Sequence, residues 1–370
     1  MRKNDLMKKI CVIALVCVLA SLTACGPAPQ QTGPDKSQGE NDGSSSELEE
    51  LDPIKISAKY FPDEFLRTVI SDDFDTDGNG ILSSEERRAA SDLDVYGHRR
   101  KERNPSDKIC RSLEGIEYFP CLTKIDIREN DIKELDLTAC KSLTKVYCDS
   151  NPDLTVIKLD NPNLQSLNCS YCALDTLDLS SCEKLSYLQG GGNNFTEIDL
   201  SNNLELQNVS FICSGLTELD VSKNINLTQL GISQSSIEAI DVSANVNLET
   251  LNCGWTNIKT LDLSHNTKLT HLGIDDTAIE TIDLSANPEL NSFSCQSGRI
   301  TKLDLSHNPE LQYLNIQFLR LEELDISNCP KLIDIVEKGE KSAMGDRQSW
   351  RGTGDYEGQI QIPLDCKLKY

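Results

Sequence analysis

The sequence predicts a mainly-β repeat solenoid of about 10–11 coils with extended segments on both sides, preceded by a small α-helical helix–loop–helix. Three observations predict it. First, a leucine recurs every 21 residues, at Leu122, Leu143, Leu164, Leu185, Leu206, Leu227, Leu248, Leu269, Leu290, Leu311 and Leu332; self-similarity at a fixed period of this length marks stacked units. Second, each unit holds two short runs of alternating apolar and polar residues, the period a strand requires. Third, residues 75–86 read DTDGNGILSSEE, an acidic, glycine-containing loop between two amphipathic stretches. The 370 residues are 38% hydrophobic and 5% aromatic, which a thin stack of Leu and Ile satisfies. A net charge of −23 argues against nucleic acid as a partner.

The N-terminus reads as an export signal. Arg2, Lys3, Lys8 and Lys9 precede a short apolar run, Ile10 to Ala20, shorter than the ~20 residues a spanning helix needs. Leu22-Thr23-Ala24-Cys25 is similar to the bacterial lipobox. That resemblance implies removal of a signal peptide, 1–24, and acylation of Cys25, which would place the protein on the outer face of a bacterial membrane at the cell surface. More than one acyl chain makes such anchoring stable. Residues 25–52 are rich in Pro, Gly, Ser, Gln and Glu and read as a flexible tether, with a reach of about 30 Å. Loss of residues 1–24 removes four positive charges and one negative, taking the net charge from −23 to roughly −26 and further disfavouring direct adsorption to anionic lipid.

Residues 53–96 form the helix–loop–helix. Residues 75–86 fit the pattern D-x-[DN]-x-[DN]-G-x5-E and resemble the EF-hand calcium loop. Ca2+ takes 6–8 oxygen ligands. Asp75, Asp77 and Asn79 offer side-chain oxygens, Ile81 its carbonyl, Ser83 an oxygen directly or through water, and Glu86 two oxygens. Pro62, Asp63 and Glu64 suit a helix start, and Phe65, Leu66, Val69, Ile70 and Phe74 share one helical face. Ser83 and Glu86 also fit a capping box for the second helix. There is no second loop in the sequence, so this one is expected to dock on the first coil. Three carboxylates suit a weak extracellular site of ~10⁻⁴–10⁻³ M with a structural role. Residues 97–121 read as an entry cap, with His98, Arg99, Arg100, Lys101 and Arg103 as a solvated basic insertion.

The repeats run over 122–335. The unit at Leu248, LETLNCGWTNIKTLDLSHNTK, reads L-x-x-L-x-C-x-x-T-x-I and then L-x-x-L-D-L-S-x-N. It resembles the 21-residue bacterial leucine-rich repeats. Two coils depart: Leu154 comes one residue late, with Lys158 where aspartate is usual, and Gly190, Gly191 and Gly192 replace a core residue and its neighbours. The glycines predict a soft coil, because they add backbone entropy and no packing. Residues 336–370 lose the period but end in an alternating run, Gln359 to Ile362, and are expected to fold as a strand-rich cap.

The two halves of the repeat differ. In the second, Asp178 to Asp325, Ser180 to Ser327 and Asn203 to Asn308 recur at the 21-residue spacing. These read as scaffold that satisfies turn backbone; the alternative is an acidic stripe for cations or a basic partner. The first half varies at outward offsets, where Tyr147, Tyr171, Tyr187, Trp255, His271, Asp275, Tyr313 and Phe318 stand as candidate ligand contacts.

Of the fifteen cysteines, Cys148, Cys169, Cys253 and Cys295 occupy a core offset, and Cys140, Cys182 and Cys329 replace the turn asparagine. They read as buried free thiols, with Cys110 and Cys121 the most favourable pair for a bridge. No zinc, phosphate-loop, dinucleotide or hydrolase motif is present, so no enzyme is expected. The arrangement is similar to bacterial surface lipoproteins in which one EF-hand precedes a leucine-rich array, internalin-like in the broad sense. Leu113-Glu114-Gly115-Ile116-Glu117-Tyr118-Phe119 resembles their entry coil. The resemblance implies a monomeric protein- or glycan-binding adhesion module; the alternative is an envelope scaffold without a specific soluble ligand.

Overall fold

The computed structural model describes residues 50–101, 109–344, 347–351 and 358–370. Cys25, the 1–24 segment and all but the last residues of the tether lie outside them.

Asp63 opens α1 (Glu64–Asp73), its carboxylate accepting the Leu66 N–H at 2.9 Å. Phe65, Leu66, Val69 and Ile70 form its buried face. After the loop, β2 (Ile81–Leu82) pairs antiparallel with β1 (Ile54–Lys55). The chain thus supplies from its own upstream segment the strand partner that a second loop would otherwise give. Ser83 and Glu86 cap α2 (Ser84–Ala89) reciprocally. The helices dock on the entry segment through aromatic rings: Phe119 lies 6.0 Å from Phe61 and 5.0 Å from Phe74. Buried Arg87 ties them down, with Nε donating to the Tyr118 carbonyl at 2.9 Å and Nη1 to that of Asp52 at 2.6 Å.

From α2 the chain runs into β3 (Asp92–Asp94), the first strand of the main sheet, parallel to β4 (Lys124–Asp126). Of the basic run that follows, His98 to Lys101 lie on a helix, α3 (Val95–Lys101), rather than in a solvated loop, and Arg103 lies outside the described residues. Tertiary pairing overrides local propensity: His98 Nε2 lies 2.9 Å from the Asp73 carboxylate, and Arg99 faces Glu129 at 3.9 Å.

In the repeats, β5 (Glu134–Asp136) and β7 (Val156–Lys158) pair on one side of the first coils. On the other side β6 (Lys145–Tyr147), β8 (Ser166–Asn168), β9 (Tyr187–Gln189), β10 (Asn208–Ser210), β11 (Gln229–Gly231), β12 (Thr250–Asn252), β13 (His271–Gly273), β14 (Ser292–Ser294) and β15 (Tyr313–Asn315) continue the parallel sheet from β4 in strict register. Nine steps of 21 residues separate β4 from β15. All eleven column leucines are fully buried. The solenoid is closed by β16 (Glu323–Asp325), α4 (Pro330–Lys338) and an antiparallel run of β17 (Glu340–Met344), β18 (Arg347–Arg351) and β19 (Gln359–Pro363). β19 returns to pair parallel with β15, and β20 (Lys367–Lys369) with β16. Among the described residues, no helix is long and apolar enough to cross a membrane.

The expectation of extended segments on both sides needs correction. Apart from the β5–β7 and β16–β20 pairs, the second halves form no strands among the described residues. Each column aspartate accepts the N–H of the serine two residues on, as from Ser180 to Asp178 at 2.9 Å and from Ser222 to Asp220 at 2.8 Å. The same side-chain turn closes the second halves that do pair, from Thr138 to Asp136 at 3.1 Å and from Ser327 to Asp325 at 2.9 Å, so it shapes every turn without deciding which coils pair.

The three-glycine coil is also not underpacked. A Cβ at Gly190 would stand 2.8 Å from the Phe211 ring and 3.2 Å from that of Phe195. Those two fully buried rings, 6.0 Å apart edge to face, fill the volume that glycine leaves.

Candidate functional site

Two regions hold the candidate site residues. In the loop, the carboxylates of Asp75, Asp77 and Glu86 come within 4.8 Å of one another. Two oxygens on one Ca2+ at 2.3–2.6 Å stand no more than ~5.2 Å apart, so the convergence fits that ion. Gly78 and Gly80 make the tight turn with φ of 71° and 77°. Loop N–H groups hold the carboxylates in place: Gly80 and Asn79 donate to Asp75, and Thr76 and Ser83 to Glu86 at 2.7 and 2.9 Å. The Ser83 and Thr76 bonds outweigh the burial of Glu86 and hold its carboxyl down at about 2. Asn79 Oδ1 accepts the Ile81 N–H, and Ser83 Oγ accepts that of Glu86. Ser83 is therefore a helix cap first and a ligand at most second.

The other region is the outward face of the main sheet, with the turn that follows each strand. One feature there has no signal in the sequence. Glu129, Ser150, Tyr171, Gly192, Cys213, Gln234, Trp255, Asp276, Ser297 and Phe318 recur every 21 residues, and all have positive φ, between 49° and 71°. Nine of the ten are not glycine, although each then carries roughly 1–2 kcal/mol of left-handed strain. In the nine from Glu129 to Ser297 the geometry persists because their N–H groups join coil to coil, as from Tyr171 to the Gly191 carbonyl at 2.8 Å and from Trp255 to that of Asp275 at 2.6 Å.

Of the predicted contacts, Trp255, Tyr313 and Phe318 are 42%, 40% and 47% exposed. Tyr147, Tyr171, Tyr187 and His271 are half-buried. Burial lowers the His271 pKa, only partly opposed by Glu249, and raises that of Tyr187. Asp275 differs from expectation. It is 9% exposed, and its carboxylate accepts from Ser294 Oγ at 2.5 Å and Gln296 N at 2.7 Å, so it braces neighbouring coils.

The structure gathers Tyr147, Tyr171 and Tyr187 onto three consecutive coils and adds residues that sequence reasoning missed. Arg128 lies 4.4 Å from the Tyr96 ring and 5.6 Å from that of Tyr147, and forms a two-pronged ion pair with buried Asp126. Asp149 accepts from Asn168 at 2.9 Å. Burial pushes its carboxyl up to about 6, against the pull of Arg128. Offset counting could have found Asp149, which stands where Asp275 does six coils later.

The second-half columns are consumed by structure. Each asparagine from Asn203 to Asn308 is wholly buried and donates from Nδ2 to two carbonyls, as Asn224 does to Leu200 and Asn203 at 3.1 and 2.9 Å. Cysteine in this column gives one weaker bond, as from Cys329 to the Leu305 carbonyl at 3.5 Å. Cys110 and Cys121 are both free thiols, as are the buried core cysteines; the Cys110 thiol donates instead to the Ser112 carbonyl. Burial pushes Cys253 and Cys295 up to about 12, which makes them inert.

No protein-family model matches the chain, and no curated protein matches it. Solved structures do. The functional domain of InlJ from Listeria monocytogenes, described as including a cysteine ladder, is 25% identical, with 76% of this chain covering 70% of that one at a TM-score of 0.57. An internalin, InlF, from Listeria monocytogenes is 19% identical, with 77% of this chain covering 83% of that one at a TM-score of 0.65. The chain shares the leucine-rich-repeat solenoid fold of these internalin structures.

Proposed function

We propose that the protein is an exported, lipid-anchored recognition module whose partner docks on the outward face of the main sheet. One contrast carries this reading. On the second-half side, the asparagine and aspartate columns already hold their own chain through hydrogen bonds. On the sheet face, Trp255, Tyr313 and Phe318 stand exposed on a rigid scaffold, and large aromatic side chains there favour anchoring a partner. InlJ is described as having a functional domain with this fold. Acylated Cys25 would tether the solenoid to the outer face of a bacterial membrane.

The N-terminal loop, in this reading, binds Ca2+ through Asp75, Asp77, Asn79, the Ile81 carbonyl, Ser83 and Glu86. The ion would neutralise three converging carboxylates and so stiffen a helix pair that is continuous, through β3, with the sheet. The test is the joint replacement of Tyr147, Tyr171 and Trp255 by alanine. Loss of adhesion to partner cells with an unchanged melting temperature supports recognition by this face; unchanged adhesion refutes it.

A further inference from the structure

The sheet face is not chemically uniform. Offsets 2, 4, 6 and 7 from the column leucine are the outward positions of each strand and its turn. In the five coils that start at Leu164, Leu185, Leu206, Leu227 and Leu248, these make twenty positions, and none is charged. Charged residues are 26% of the chain, so about a quarter of these positions would be charged at the average composition. The opposite halves of the same coils carry Glu197, Asp199, Glu218 and Asp220 together in one acidic depression. Charge bounds the strip: Lys145 and Asp149 precede it, and Asp276, beside buried Asp275, follows it in a single coil, beyond which the same positions of the coils at Leu290 and Leu311 are again uncharged.

Amides, hydroxyls and ring faces replace charge there. Gln189 and Asn252 offer donors and acceptors together, and Asn208 and Gln229, which bond each other, keep the Asn208 acceptor and the Gln229 donor for a ligand, while Asn168 is held by Asp149 and the Ser170 N–H. Tyr171 and Tyr187 supply rings at one end and Trp255, 42% exposed, at the other. Gly231 keeps the floor low between them, where a Cβ would stand 3.4 Å from the Ile212 side chain; at Gly191 and Gly254 the Cβ position faces the next coil's backbone, against the Ile212 carbonyl and 3.1 Å from that of Asp275. From the Tyr171 coil to the Trp255 coil the strip runs over four strand steps, about 19 Å.

We propose that this strip binds a neutral oligosaccharide laid across the strands from Tyr171 and Tyr187 to Trp255. The proposal rests on the sheet face being the ligand-bearing side. Ring faces stack on the C–H faces of pyranoses, and paired amides meet hydroxyls as both donor and acceptor. The strip is mainly amide, hydroxyl and glycine, whereas the core of a protein interface is mostly apolar, which favours a hydroxyl-rich ligand. An anionic glycan would need cations, which the strip lacks, and would meet a chain of net charge −23.

The test is a glycan array of neutral, sialylated and sulfated oligosaccharides probed with the full chain, beside a surface-protein array. Calorimetry with the neutral glycan retained best would then compare Tyr187→Ala, Trp255→Ala and Asn252→Asp with Glu197→Gln on the acidic side. The expected result is retention of neutral glycans, with affinity falling about tenfold or more in the first three variants and unchanged in the fourth, at equal melting temperatures. Retention of anionic glycans alone, or equal affinity in all four variants, overturns the proposal. Capture of a protein but no glycan, lost in Trp255→Ala, overturns it while the sheet-face reading stands. Failure to capture either overturns both.

Discussion

The ring of Tyr171 packs directly over Gly192. A Cβ on residue 192 would stand 2.6 Å from Tyr171 Cδ1 and 3.0 Å from its Cε1, at a φ of 71°. Gly192→Ala therefore meets both a steric clash and left-handed strain. It is expected to cost at least about 1–2 kcal/mol in urea unfolding and to change the fluorescence of Tyr171. Ser150, in the same column at φ 61°, gives the opposite case: Ser150→Gly is expected to stabilise by about 1 kcal/mol. Equal stability in both variants would show that the positive-φ column carries no strain.

The asparagine column is expected to hold the coils together. Asn245 donates to the Val221 and Asn224 carbonyls at 3.1 and 2.9 Å from a wholly buried site. Asn245→Ala leaves two carbonyls short of a donor and is expected to cost about 2–4 kcal/mol. Leu227→Ala is expected to cost about 2–5 kcal/mol. Asp241→Asn, at the exposed Asx turn, keeps an acceptor for the Ser243 N–H, and little change is expected. Chemical denaturation of the three variants ranks them.

Calcium is expected to raise the melting temperature of the N-terminal segment, and excess chelator to reverse the rise. Glu86→Gln weakens the bidentate ligand and should abolish the dependence. A wild-type melting temperature that is equal with calcium and with chelator would rule out the site.

Asp149 is expected to make stability pH-dependent. Burial, opposed by Arg128, lifts its carboxyl to about 6 in the folded chain, against about 3.9 when unfolded. Between those values the folded state holds a proton that the unfolded state releases. The favourable contribution is therefore full below about 4 and is lost as pH rises through about 6. Asp149→Asn keeps an uncharged side chain at every pH. Its stability relative to wild type should rise between pH 4 and pH 6.5 and then level off; a pH-independent difference would contradict the burial argument.

Much of the scaffold was legible because period and burial coincide. One leucine every 21 residues specified the sheet-forming coils, and the Asn203-to-Asn308 column specified the turn bonds. The positive-φ column was not legible, because Tyr171, Trp255 and Gln234 carry no glycine signature; inter-coil N–H bonding imposes the conformation on them. Nor was the limit on second-half pairing, which among the described residues is confined to β5–β7 and β16–β20 although the aspartate–serine turn recurs in paired and unpaired coils alike. In the candidate site, Trp255, Tyr313 and Phe318 could be placed from offsets alone. The Tyr96–Arg128–Tyr147 stack could not, because Tyr96 comes from a helix held by His98 and Asp73 across 25 residues.

The central claim, that the partner occupies the sheet face, is tested most directly by hydroxyl-radical footprinting of the full chain with and without a saturating partner from the arrays. Trp255, Tyr313 and Phe318 mark the face, while exposed Leu204, Ile225 and Val246 mark an edge outside it. Protection of Trp255 and at least one of the other two face residues, with the three aliphatic residues labelled as before, is the expected result. Protection of Leu204, Ile225 and Val246 with Trp255 still fully labelled would contradict it.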